Sequence, residues 1–120
     1  MWIKICGITT PDDAAMVAQC GADAIGLNFY SGSKRFVTAD KARTIRATVR
    51  PQVEVVGVFV NSSAEDVAKI VATVGLTTVQ FHGDESATDI ARFAQLFERH
   101  RTLTNSCPPV TGKARPYIAR

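Results

Sequence analysis

Cysteine is scarce in this 120-residue chain, and what there is comes in an odd number: Cys6, Cys20 and Cys107. A disulfide framework is therefore excluded as the organising principle, and the spacing fits no zinc pattern. A reducing compartment is the expectation. The chain opens with no charged segment followed by an apolar one, as a secretory signal would. No apolar run reaches the roughly 18 residues that a membrane span needs. Together these absences predict a cytoplasmic protein. Dense Lys/Arg stripes with interleaved aromatics are also missing, which argues against a nucleic-acid partner. So is any glycine-rich phosphate loop: Ser31-Gly32-Ser33-Lys34-Arg35 is too short and lacks the spacing.

What the chain has is 46% hydrophobic residues, enough for one domain with a real core but not for two. The net charge is +3, and part of the excess is local. After Leu96, Arg99, Arg101, Lys113, Arg115 and Arg120 stand against Glu98 alone. A weak positive field suits a small anionic substrate.

The pattern alternates. Residues 2–6 form a short β-branched run, broken by Gly7. Thr10-Pro11-Asp12-Asp13 reads as a helix start: Thr10 can cap, Pro11 suits the first position, and Asp13 can close a capping box. That helix should stop at Gly21. Residues 23–30 give a second strand, and Thr38 caps a second helix whose Ala42, Ile45 and Val49 share a face. Pro51 marks its end.

Residues 53–60 are almost continuously apolar, as in a strand buried on both faces. Ser62-Ser63-Ala64-Glu65 reads as a capping box. Val67, Ile70, Val71 and Val74 fit the helical template, and Gly75 ends the helix. Residues 77–82 give a fourth strand. Gly83-Asp84-Glu85-Ser86 is a turn and cap, its acids favoured by the helix dipole. Ile90, Phe93, Ala94 and Phe97 continue the helical spacing. Residues 99–115, with Pro108-Pro109 and Gly112, read as loop or disordered chain. Pro116 to Arg120 look like the start of a fifth strand.

Four βα repeats mean a parallel sheet with right-handed crossovers. Periodicity alone does not separate an open sheet from part of a barrel. In either, ligands bind at the C-terminal ends of the strands. Three side chains stand out there. Cys6 beside Gly7 can act as base or nucleophile in its thiolate form, although position alone favours a small buried hydrophobe. Arg35 can hold a carboxylate or phosphate with its planar fork, or be a solvated loop charge. His82 can bind substrate or move a proton, or simply be hydrogen-bonded at a strand end. Cys20 and Cys107 receive no role.

Five segments then point one way. They are Lys4-Ile5-Cys6-Gly7-Ile8-Thr9, the run from Gly21 to Tyr30, Ser31-Gly32-Ser33-Lys34-Arg35-Phe36-Val37, Val56-Gly57-Val58-Phe59-Val60-Asn61, and Val79-Gln80-Phe81-His82-Gly83-Asp84-Glu85. In order and spacing they resemble phosphoribosylanthranilate isomerases over residues 2 to about 98. Pro116-Tyr117-Ile118 fits that family's fifth strand more loosely.

The resemblance implies a (β/α)8 (TIM) barrel. The chain would be its N-terminal portion, four βα units and the start of strand five, with residues 1–120 forming part of a single domain. A whole barrel takes about 250 residues. It also implies an Amadori rearrangement of phosphoribosylanthranilate in tryptophan biosynthesis. Cys6 would be the general base, Arg35 would hold the anthranilate end, and His82 would line the pocket, with no metal and no cofactor.

The family's general acid, an aspartate after later strands, has no counterpart in Asp12, Asp13, Asp84 or Asp89, and the phosphate-binding loops after strands seven and eight are absent. Self-association, or pairing with a C-terminal half, is expected to close the exposed sheet edges. The alternative is a non-catalytic α/β binding or assembly module descended from the same family.

Overall fold

In a computed structural model of the protein, residues 1–103 are described, with side chains through Leu96. Eight elements alternate: β1 (Lys4–Cys6), α1 (Pro11–Gln19), β2 (Ala24–Asn28), α2 (Ala39–Thr48), β3 (Glu54–Phe59), α3 (Ala64–Val74), β4 (Thr78–Phe81) and α4 (Ala87–Leu103). The strands are parallel and lie in the order β1-β2-β3-β4. Each is shorter than the apolar run that encodes it. The flanking residues turn instead, as where Tyr30 N donates to the side-chain Oδ1 of Asn28 at 2.9 Å.

Helix starts follow local chemistry. Thr10 Oγ1 accepts from Asp13 N (3.1 Å), Thr38 Oγ1 from Lys41 N (3.3 Å) and Ser86 Oγ from Asp89 N (3.1 Å). Each such cap contributes about 1 kcal/mol. The capping box expected at Ser62 is corrected by one residue. Ser63 is the cap, accepting from Asp66 N at 3.2 Å. The carboxylate of Glu65 is then free to turn outward, and it meets Arg92 of α4. Gly75 ends α3 in the left-handed region at φ 80°, its N–H reaching Val71 O at 2.9 Å.

Residues 99–103 are helical rather than loop, because α4 runs on to Leu103. The rest of the expected polar segment, the fifth-strand motif at 116–120, Cys107 and the side chain of Phe97 lie outside the described residues.

The two faces of the sheet differ. One carries Ile25, Leu27, Val55, Phe59, Val79 and Phe81. These pack with Ile45, Val67, Val71 and Phe93 of the helices into one buried cluster. Registered residues of parallel strands share a face, so the other face is set by the pairs Lys4–Ala24, Cys6–Gly26–Val56–Thr78 and Asn28–Val58–Gln80. Ala24, Val56 and Val58 are buried there, apart from the helix-facing cluster.

This second face is concave. Lys4 Nζ donates to Gln80 Oε1 at 2.5 Å, although three strand spacings, about 14 Å, separate β1 from β4 in a flat sheet. Side chains stand roughly perpendicular to a sheet, so these two meet only if the sheet curls toward the face they share.

Candidate active site

The C-terminal ends of the four strands gather the three side chains singled out from the sequence. Cys6 closes β1 and its thiol is free. Its direction follows from the register: it points to the concave face opposite Gly26. A Cβ on Gly26 would stand 2.8 Å from Cys6 Sγ and 3.2 Å from its Cα. The thiol therefore occupies the space a side chain on β2 would fill. Gly26 O also accepts from Gly7 N (3.1 Å) and Ile8 N (3.2 Å), which pins the turn after β1.

Arg35 is exposed, but it is not an isolated loop charge. A Cβ on Gly7 would lie 2.4 Å from Arg35 Cδ and 2.8 Å from its Nη1. The arginine side chain thus lies across the residue that follows Cys6. Gly7 has φ 82°, a conformation that suits glycine and leaves this surface bare. The loop is held in place by an isolated bridge of Phe36 to Asn28, by Val37 N donating to Asn28 O (2.9 Å), and by Arg35 N donating to Ser33 Oγ (3.2 Å). Arg35, 28 positions from Gly7 in sequence, is thus brought to the turn that follows Cys6.

His82 is the first residue after β4. Its backbone N–H donates to Phe59 O at 2.8 Å, and the residue is exposed. It lies at the same rim, with β2 and β3 between it and Cys6. The turn and cap expected after it are present, and Glu85 is held by hydrogen bonds rather than by the helix dipole alone. Ser86 caps α4, while both oxygens of the Glu85 carboxylate accept backbone N–H groups, from Asn61 (2.8 Å) and Gly83 (2.8 Å).

Among the described residues no group of three or more His, Cys, Asp and Glu side chains gathers as a metal site would. No described helix is long and apolar enough to cross a membrane. A cavity of about 380 Å³ lies between the turn after His82 and α4, lined by Phe81, Gly83, Glu85, Ile90 and Ala94 among others.

A family model described as N-(5'-phosphoribosyl)anthranilate isomerase matches residues 3–107. The chain belongs to this isomerase family. The enzyme of that name from Neisseria meningitidis serogroup B is 54% identical over 82 residues, 68% of this chain and 39% of that one. The one from Bordetella petrii is 48% identical over 97 residues, 81% of this chain and 44% of that one.

The solved phosphoribosyl anthranilate isomerase of Thermotoga maritima superposes with a TM-score of 0.77 at 40% identity, covering 79% of this chain and 46% of that one. The Thermus thermophilus structure gives 0.77 at 33%, covering 81% and 48%. The chain thus spans less than half the length of these relatives. Its four βα units are part of the family's TIM barrel.

Glycine 26 was not singled out from the sequence. A glycine inside an otherwise apolar strand was the available signal, since such a residue marks close approach of another group.

Proposed function

We propose that the chain supplies the proton-abstracting part of a phosphoribosylanthranilate isomerase site, as the N-terminal portion, residues 1–120, of a single (β/α)8-barrel domain. The observation that carries this is the contact of Arg35 with Gly7. It brings the guanidinium to the residue that follows Cys6, which supports a reading in which an aromatic carboxylate held by Arg35 is presented to the base.

N-(5-phosphoribosyl)anthranilate would bind with its anthranilate carboxylate on Arg35 through paired hydrogen bonds. After ring opening to the Schiff base, the Cys6 thiolate takes the C2 proton. The C–H electron pair forms the C1–C2 double bond, and the C=N pair passes to nitrogen. The iminium nitrogen is thereby neutralised, and protonation of C1 with loss of the enol O–H proton gives the ketone of 1-(2-carboxyphenylamino)-1-deoxyribulose 5-phosphate. His82 lines the pocket from β4. A phosphoribosyl anthranilate isomerase solved in complex with the reduced form of that product supports this substrate class.

Ring opening needs an acid, and none of Asp12, Asp13, Asp84 and Asp89 fits the family's position for it. General acid catalysis alone is worth roughly 10²–10⁴-fold, so the 120-residue chain by itself turns over slowly. Further βα units would supply the acid and the phosphate grip, whether from a C-terminal half or a second copy. The sheet edges support such pairing. Trp2, Ile3 and Ile5 are exposed at β1, and the apolar cavity borders β4. The exposed free thiols of Cys6 and Cys20 fit the reducing cytoplasm.

The test is turnover of freshly generated phosphoribosylanthranilate, read as loss of anthranilate-type fluorescence, by the chain mixed with a separately expressed C-terminal half of a relative. Turnover that appears on mixing and vanishes with Cys6→Ser is the expected result. Turnover indifferent to Cys6→Ser overturns the assignment.

A further inference from the structure

The turn carrying His82 is tied to the end of β3 by a set of hydrogen bonds that the proposed reaction does not use. Asn61 N donates to Glu85 Oε1 at 2.8 Å, Gly83 N to Glu85 Oε2 at 2.8 Å, and Asp84 N to Asn61 Oδ1 at 2.8 Å. With His82 N on Phe59 O, residues 82–85 are each bonded into one lock on residues 59–61.

Backbone strain accompanies the lock. Asn61 is the one non-glycine residue at positive φ, 52°, among the described residues. Asparagine tolerates that region better than most residues. The packing leaves no slack: a Cβ on Gly83 would stand 2.7 Å from Asn61 Oδ1 and 3.0 Å from Asn61 N. Nor does the lock serve the helix beyond, because Ser86 already caps α4.

We propose that Asn61 and Glu85 are positioning residues that hold His82 at the rim of the concave face. That His82 meets substrate rests on the isomerase function proposed above; the lock does not. Two oxygens at the reach of a glutamate are needed, because one must accept from β3 and the other from the turn. A negative charge alone, as the helix dipole would favour, is insufficient. At position 61 the amide oxygen is needed as well as the left-handed backbone.

Each requirement has its own variant. Glu85→Asp keeps the charge but shortens the reach. Asn61→Gly keeps the backbone conformation, without strain, but removes the acceptor for Asp84 N. Three readouts apply: amide exchange at Gly83 and Asp84 and 13C relaxation of the His82 ring in the folded chain, and binding of the reduced product 1-(o-carboxyphenylamino)-1-deoxyribulose 5-phosphate by the chain mixed with the C-terminal half.

Both variants should speed amide exchange about tenfold, the loss of one hydrogen bond of ordinary strength. Both should loosen the His82 ring and weaken binding several-fold, while melting cooperatively like the wild type. Wild-type exchange and ring relaxation in either variant overturn the proposal. Loosening of the ring with unchanged analogue affinity also overturns it, because His82 would then be held for no ligand. A wild-type chain that fails to bind the analogue even when mixed with the C-terminal half counts against the isomerase assignment instead, and ring relaxation then decides the lock by itself.

Discussion

Lys4 and Gln80 meet across the concave face, joining the first strand to the fourth over the two between them. The bond is part-buried, and its acceptor is a neutral amide. Gln80→Leu would leave a half-buried ammonium facing apolar surface, at a cost of about 1–3 kcal/mol. Lys4→Met in the same background removes the stranded charge and should restore most of that loss. Urea unfolding of both single variants and the double variant measures the coupling. A coupling near zero would mean that curvature is set by the backbone alone.

Gly26→Ala should disturb the thiol before it disturbs anything else. The new methyl meets Cys6 Sγ at 2.8 Å and the Cys6 backbone at 3.2 Å. Overpacking of this kind costs typically 1–3 kcal/mol. Adding Cys6→Ala relieves the sulfur contact but not the backbone one, so recovery should be partial. Chemical denaturation of the pair, with the rate of Cys6 alkylation by iodoacetamide, gives both readings. An alkylation rate and stability both equal to wild type would show that the thiol does not rest over Gly26.

Gly7 and Gly75 form a natural pair of controls. Their φ angles, 82° and 80°, are nearly the same, so alanine at either pays a similar left-handed penalty of about 1–2 kcal/mol. Around Gly75 nothing lies within 4 Å of the added carbon, whereas at Gly7 it strikes Arg35. Gly75→Ala should therefore cost stability and leave binding of the reduced product analogue as it was. Gly7→Ala should add a loss of affinity by displacing the guanidinium. Calorimetric titration of the two variants, each mixed with the C-terminal half, separates strain from displacement. Equal affinity in both would detach Arg35 from the site.

The fold was legible because its signals are local. Thr10 and Thr38 cap where the sequence places them, and the apolar spacing of Val67, Val71 and Val74 buries one face of α3 as expected. The misplaced cap shows the limit of such signals. Ser62 and Ser63 are chemically alike, and Glu65, the expected partner in the box, instead meets Arg92, a contact 27 residues distant. The site was legible by residue type but not by geometry. Cys6, Arg35 and His82 could be named from their places at strand ends. The seat at Gly26, the rest of Arg35 on Gly7 and the hold of Glu85 on Asn61 depend on sheet register, which no single strand encodes.

The pair of Glu65 and Arg92 gives the chain an acid-sensitive link between α3 and α4. Arg92 Nε donates to Glu65 Oε1 at 2.7 Å, and its Nη2 reaches the same oxygen. The hydrogen bond from Arg92 holds the Glu65 carboxyl below its usual value of 4.5. A group whose folded pKa is depressed stabilises the fold above its unfolded pKa and loses that contribution as pH falls through the folded one. The link is therefore complete above about pH 5 and fades below 4.5. Both side chains are more than half exposed, so solvent and salt screen the pair and the effect is small. Melting temperatures of the wild type and Glu65→Gln should differ slightly at pH 7 in low salt and converge at acid pH or in 1 M salt. A gap that persists in 1 M salt would mean that Glu65 acts through packing of its stem rather than through charge.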